Sequence, residues 1–147
     1  MTYLQFKEWA TNLLKLWGLY KPHIVECLAM IVAHESLGGK YRKQLGGGPA
    51  RGIFQMEFIT HDSVWDTQDT INKRAKQFGI KRNSVLMETS DEYALFVARH
   101  YLLQDPNPVP TDPEQIAKYC KDYWNRGGKA TSEEYYRDWE LWKANKL

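Results

Sequence analysis

The chain has 147 residues, 43% of them hydrophobic and 26% charged, the balance of one globular domain with a real core and not of a disordered segment. Its net charge of +2 is too small to argue for a nucleic-acid surface. No apolar run reaches the length of a membrane span, and the first residues lack the basic and apolar stretches of a signal peptide. No stable membrane insertion is expected, and synthesis in the cytoplasm is.

The pattern is helical nearly throughout. Phe6, Trp9, Ala10, Leu13, Leu14 and Trp17 recur at three- and four-residue steps. Thr2 with Gln5 makes a capping box for that helix, and Gly18 ends it. Pro22 suits the first turn of a second helix, on which Ile24, Leu28, Ile31 and Glu35 share one face. The acid is therefore in line with the apolar stripe. Glycine then becomes dense, at Gly38-Gly39 and Gly46-Gly47-Gly48, and allows at most a short hairpin between about 38 and 52. A weaker helix is predicted over 66–78, stopping before Gly79. Three capping boxes, Thr89 to Glu92, Thr111 to Glu114 and Thr131 to Glu134, announce helices near 90–103, 112–124 and 132–145. The proline-rich run from Gln104 to Pro110 is an extended connector, because similar helices flank it. The prediction is one mainly α domain over 1–147 with a small irregular glycine-rich lobe.

Several chemistries find little support in the residues. Cys27 and Cys120 have no metal spacing and read as reduced core thiols. His34-Glu35 opens like a zinc-protease helix, but Gly38 stands where the second histidine belongs. His23, His61 and His100 are scattered, and no metal or other cofactor is expected. The glycine run lacks the lysine and the preceding strand of a phosphate loop. Tyr135, Trp139 and Trp142, flanked by lysines, admit membrane action by the last helix, but its acids make core packing the better reading.

Glu35 is the informative residue. Apolar neighbours and the negative end of its helix both disfavour the carboxylate, so its pKa should rise toward that of a general acid. An equally simple reading pairs it with Arg42 or Arg51, or with amides of the glycine lobe.

Glu35-Ser36, the glycine-rich spacer and Gly52-Ile53-Phe54-Gln55-Met56 together resemble the signature of the lysozyme-like superfamily, nearest its lytic transglycosylase and goose-type lysozyme branch. Tyr123-Trp124-Asn125-Arg126-Gly127-Gly128 is similar to that branch's Tyr-Asn-x-Gly segment, with Trp124 interposed, so that either Tyr123 or Trp124 holds the tyrosine's place. The helix from Ala94 to Leu103 falls where the family has its central buried helix. The resemblance implies a lysozyme-like fold and cleavage of the β-1,4 bond between N-acetylmuramic acid and N-acetylglucosamine in bacterial peptidoglycan. Glu35 would be the catalytic acid. Ser36, Gln55 and Asn125 would contact the sugar, and Phe54, Tyr101, Tyr123 and Trp124 would form cleft walls.

A second carboxylate is harder to place. Ala50 stands where some lysozymes carry an aspartate, leaving Glu57, Asp62 and Asp66 as possibilities. One acid alone favours the transglycosylase route, in which the sugar closes a 1,6-anhydro ring, over hydrolysis. The same resemblance suggests a monomeric phage endolysin, made in the host cytoplasm and acting on the wall after release. Its rival is a non-catalytic glycan-binding or structural virion module on the same fold.

Overall fold

A computed structural model describes residues 1–147. The helices are α1 (Tyr3–Leu16), α2 (Pro22–Ser36), α3 (Phe58–Thr67), α4 (Asp69–Phe78), α5 (Leu86–Thr89), α6 (Asp91–Gln104), α7 (Pro113–Tyr119) and α8 (Ser132–Lys143). A π-helical turn over Cys120–Trp124 continues α7. The only sheet is an antiparallel pair, β1 (Ala50–Arg51) and β2 (Met56–Glu57), with Ala50 opposite Glu57 and Arg51 opposite Met56. The architecture is mainly α, as the apolar periodicity predicts. No helix is long and apolar enough to cross a membrane.

Two helices carry the core. On α2, every residue from Cys27 to Ala33 is buried, and on α6 every residue from Tyr93 to His100. Helices enclosed on all sides lose the simple two-faced pattern of a surface helix. Around α2 pack α1, α7 and α8, while α3 and α5 lie on α6. Full burial of a leucine or isoleucine is worth about 1.5–3 kcal/mol, so Leu28 and Ile31, both wholly enclosed, fix α2 in depth. Its last turn, and Glu35 with it, is fixed too. Tyr135, Trp139 and Trp142 of α8 are buried in the same core, which leaves that helix no apolar face to offer a bilayer.

Local stops differ from the predicted ones in instructive ways. The Thr2–Gln5 and Thr131–Glu134 capping boxes form as expected. The other two shift by one residue: Ser90 caps α6 through Tyr93 N, and Asp112 caps α7 through Gln115 N. Ser and Asp are each at least as good a cap as the threonine beside them, and Thr89 closes α5 instead. The helix predicted over 66–78 is α4, from Asp69; residues 66 and 67 end a separate helix, α3, that the sequence pattern does not predict, and the two part at Gln68, whose backbone is extended (φ −124°, ψ 119°). The hairpin lies later than predicted, with strands at 50–51 and 56–57, and only the lone Lys43–Arg51 bridge reaches back toward the glycines.

Two glycines seat the lobe. Gly52 has φ +79°, and a Cβ there would stand 2.0 Å from the carbonyl oxygen of Met87. Gly38 has φ +74°, and its Cβ would stand 2.7 Å from Trp142 Nε1. Each combines the left-handed conformation with close approach, conditions that glycine alone satisfies.

Candidate active site

The end of α2, the hairpin and the segment after the π-turn surround an open cleft of about 680 Å³. Glu35, Gln55, Glu57, Tyr101, Trp124 and Asn125 are among the residues that line it. Its volume is typical of small-ligand sites.

Glu35 is half-buried at the last turn of α2. The phenol of Tyr135 donates to its Oε1 at 2.5 Å. Burial pushes the Glu35 carboxyl above the ordinary carboxylate range, against the Tyr135 hydrogen bond, the nearby His34 and the Asn125 amide, which favour the anion. Desolvation prevails. Tyr135 itself stays a protonated donor, because burial and the adjacent carboxylate hold its phenol far above its usual value. Behind it, the His34 ring lies 4.3 Å from the Tyr135 ring and bonds through Nδ1 to Asp138 Oδ2 at 2.8 Å. The donor aimed at Glu35 is thus held by its own helix and by α2.

Neither arginine considered as a partner reaches Glu35. Arg42 forms a two-pronged pair with Asp91, with Nη2 to Oδ2 at 3.0 Å. Arg51 donates to the carbonyls of Gly48 and Ala50 and lies over the Phe58 ring. The first ties the lobe to α6, and the second braces the lobe itself.

Gln55 lines the cleft in a left-handed conformation, φ +48°, uncommon for a residue with a side chain. Its Nε2 donates to Gly52 O at 2.8 Å, closing the tight turn. Asn125 follows the π-turn, and its N–H bonds to Cys120 O at 3.1 Å, an i→i+5 link. That wider turn takes up one residue more than an α-helical turn. It places Trp124 and Asn125 on the cleft and turns Tyr123 behind it. Of the two aromatic candidates for the wall, Trp124 lines the cleft, together with Tyr101.

Several predicted contacts are structural instead. Tyr123 does not line the cleft; its hydroxyl donates to Tyr101 O at 2.6 Å, and its ring stacks on Tyr101 at 4.7 Å. Phe54 is enclosed between Phe6 and Trp124, and supports that wall from below. Ser36 is fully buried; its hydroxyl donates to Ile53 O at 2.6 Å and accepts from Gly39 N. One residue along a helix turns a side chain by roughly a quarter of a turn, so Ser36 faces inward and ties α2 to the lobe. Of the three possible second carboxylates, Glu57 lines the cleft. Asp66 pairs with Arg82 at 2.6 Å and Asp62 with Arg82 and His61, on the far side of α3.

Tyr135, read from the sequence as core, is a site residue that sequence reasoning missed, and Arg126, which lines the cleft, is another. The one visible sign of Tyr135 was a hydroxyl on an otherwise apolar helix face, where a buried phenol needs a partner. Two further histidines, His61 and His100, have hydrogen-bond partners. His61 bonds Tyr93 and Asp62, while His100 bonds Phe96 O and Arg74. Cys27 and Cys120 are buried free thiols with their sulfurs 3.8 Å apart. No group of three or more His, Cys, Asp or Glu is arranged to hold a metal ion. Comparison of the chain with protein-family models, curated proteins and solved structures yields no match in any of the three.

Proposed function

We propose that this chain is a lysozyme-like glycosidase that cleaves the β-1,4 bond between N-acetylmuramic acid and N-acetylglucosamine in peptidoglycan. The observation that carries the reading is Glu35, a carboxyl with a raised pKa at an open cleft walled by Tyr101 and Trp124 and edged by the amides of Gln55 and Asn125. Aromatic faces and amide groups suit N-acetylated sugars, whose rings stack and whose acetamido groups exchange hydrogen bonds.

In the proposed reaction, the protonated Glu35 gives its proton to the glycosidic oxygen as the bond to the anomeric carbon breaks. The departing N-acetylglucosamine leaves with a free 4-hydroxyl. The acetamido oxygen of the muramyl sugar supports the positive charge at its anomeric carbon. The Glu35 carboxylate then takes the proton of the same sugar's C6 hydroxyl, and that oxygen bonds to the anomeric carbon. The products are a 1,6-anhydro end and a regenerated acid, with no water consumed. Tyr135, by donating to Oε1, keeps the carboxylate stable enough to form after the first proton transfer. A hydrolytic route is the second reading, favoured by Glu57, which lines the same cleft and offers a base for a water molecule. The biological setting that suits the resemblance is a phage endolysin, made in the host cytoplasm and released onto the wall.

The test is solubilisation of purified sacculi by the wild type and by Glu35→Gln. Clearing by the wild type, with loss of about a hundredfold or more in the variant, is the expected result. A folded wild-type protein that binds sacculi but releases nothing points to the non-catalytic module.

A further inference from the structure

Three side chains lining the cleft bear a carboxyl or guanidinium group: Glu35, Glu57 and Arg126. Arg126 is the one cation among them. It is exposed, and no carboxylate lies within 4 Å of it, whereas Arg42, Arg82 and Arg137 all have acidic partners. The backbone that carries it is nevertheless held. Lys121 Nζ donates to Asn125 O at 3.1 Å and to Gly128 O at 2.6 Å, stapling the carbonyls on either side of it. The neighbouring lysine is thereby spent on backbone, and Arg126 is left lining the cleft.

A neutral sugar polymer gives an unpaired guanidinium nothing to compensate it. A glycan carrying carboxylates does, through the two-pronged geometry that arginine matches best. We propose that Arg126 is a specificity-determining residue that binds a carboxylate on the side arm of the muramyl sugar, and that the cleft therefore prefers an anionic glycan to a neutral one. The inference rests on the glycosidase reading above. The carboxylate belongs to the stem peptide where one is attached, because the amide bond to it consumes the lactyl carboxyl, and to the lactyl arm where the sugar is peptide-free; both present the same group to Arg126.

The test uses binding to Glu35→Gln, in which cleavage is suppressed, with and without Arg126→Ala, followed by tryptophan fluorescence. The probes are soluble peptidoglycan strands bearing stem peptides, the same strands with their carboxylates amidated, and strands stripped of peptide by an amidase, which frees the lactyl carboxylate. On stem-bearing strands, Arg126→Ala should weaken binding roughly fivefold or more, and on amidated strands it should change nothing. A comparable loss on stripped strands shows that Arg126 also takes the freed lactyl carboxylate, and no loss there confines the contact to the stem peptide. Equal loss on native and amidated strands, or no loss on native ones, overturns the assignment to Arg126. Failure of Glu35→Gln to bind any of the three strands overturns the glycan reading itself, a separate result.

Discussion

Tyr135 and Glu35 are joined across 100 residues of chain by a hydrogen bond of 2.5 Å from phenol to carboxylate. It links the end of α2 to the first turn of α8, and it acts on the one carboxyl whose ionisation the proposed chemistry requires. Because the bond favours the anion while burial disfavours it, removing the donor should raise the Glu35 pKa further. Tyr135→Phe should therefore keep the acid protonated to higher pH, moving the alkaline limb of the rate profile upward. The rate at the optimum should fall roughly tenfold through loss of a charge-assisted bond. An alkaline limb that stays in place, or moves down, would disconnect Tyr135 from the acid.

Glu35 also has a consequence for stability. A carboxyl whose pKa is higher folded than unfolded holds its proton more tightly in the folded chain. Its contribution to stability is complete below the ordinary carboxylate range and is lost as pH rises through the raised value. Glu35→Gln, which keeps an oxygen for Tyr135 to bond, should thus be more stable than the wild type at neutral pH. The advantage should shrink on acidification into the ordinary carboxylate range. Thermal unfolding of both proteins across that range measures it, and a variant that is less stable at neutral pH contradicts the burial argument.

The helix ends and the placement of Glu35 were largely legible in the sequence, because local chemistry determines them. Capping residues act within one turn, and the apolar stripe from Ile24 to Glu35 needs only the helical period. The direction of Ser36, Phe54 and Tyr123 was not legible, since a motif states which residues occur and not which way each faces. Trp124 set between Tyr123 and Asn125 was visible as an irregularity; the i→i+5 turn that absorbs it depends on packing across the chain. The break at Gln68 carries neither proline nor glycine, and Tyr135 meets Glu35 only through tertiary packing.

The acids outside the cleft should be dispensable for turnover. Asp62 and Asp66 meet Arg82 at the surface, where solvent screens an exposed pair and leaves it little net effect. Asp62→Ala and Asp66→Ala should each leave sacculus-clearing rates within about twofold of the wild type. Glu57→Ala should retain most of the rate if the anhydro route operates and should abolish it if Glu57 serves a water. Loss of activity in a folded Asp62 or Asp66 variant would place the chemistry elsewhere.

Gly52 is the lobe's most constrained point. Gly52→Ala introduces a Cβ against Met87 O at a positive φ, and strain and overpacking of this kind together cost about 2 kcal/mol or more. Chemical denaturation should record that loss, and Gln55, three residues on, should be displaced enough to reduce activity. An unchanged denaturation midpoint would mean that the lobe does not dock on α5 as described.

The most direct measurement is mass spectrometry of the products released from purified sacculi in ¹⁸O-labelled water by the wild type and by Glu35→Gln. The expected result is muropeptides with unlabelled 1,6-anhydro ends from the wild type and almost none from the variant. Reducing ends carrying one ¹⁸O would keep Glu35 as the acid but replace the ring-closing step with attack by water. Release of no muropeptides by a folded wild-type protein, or equal release by Glu35→Gln, would contradict the proposal that Glu35 cleaves this bond.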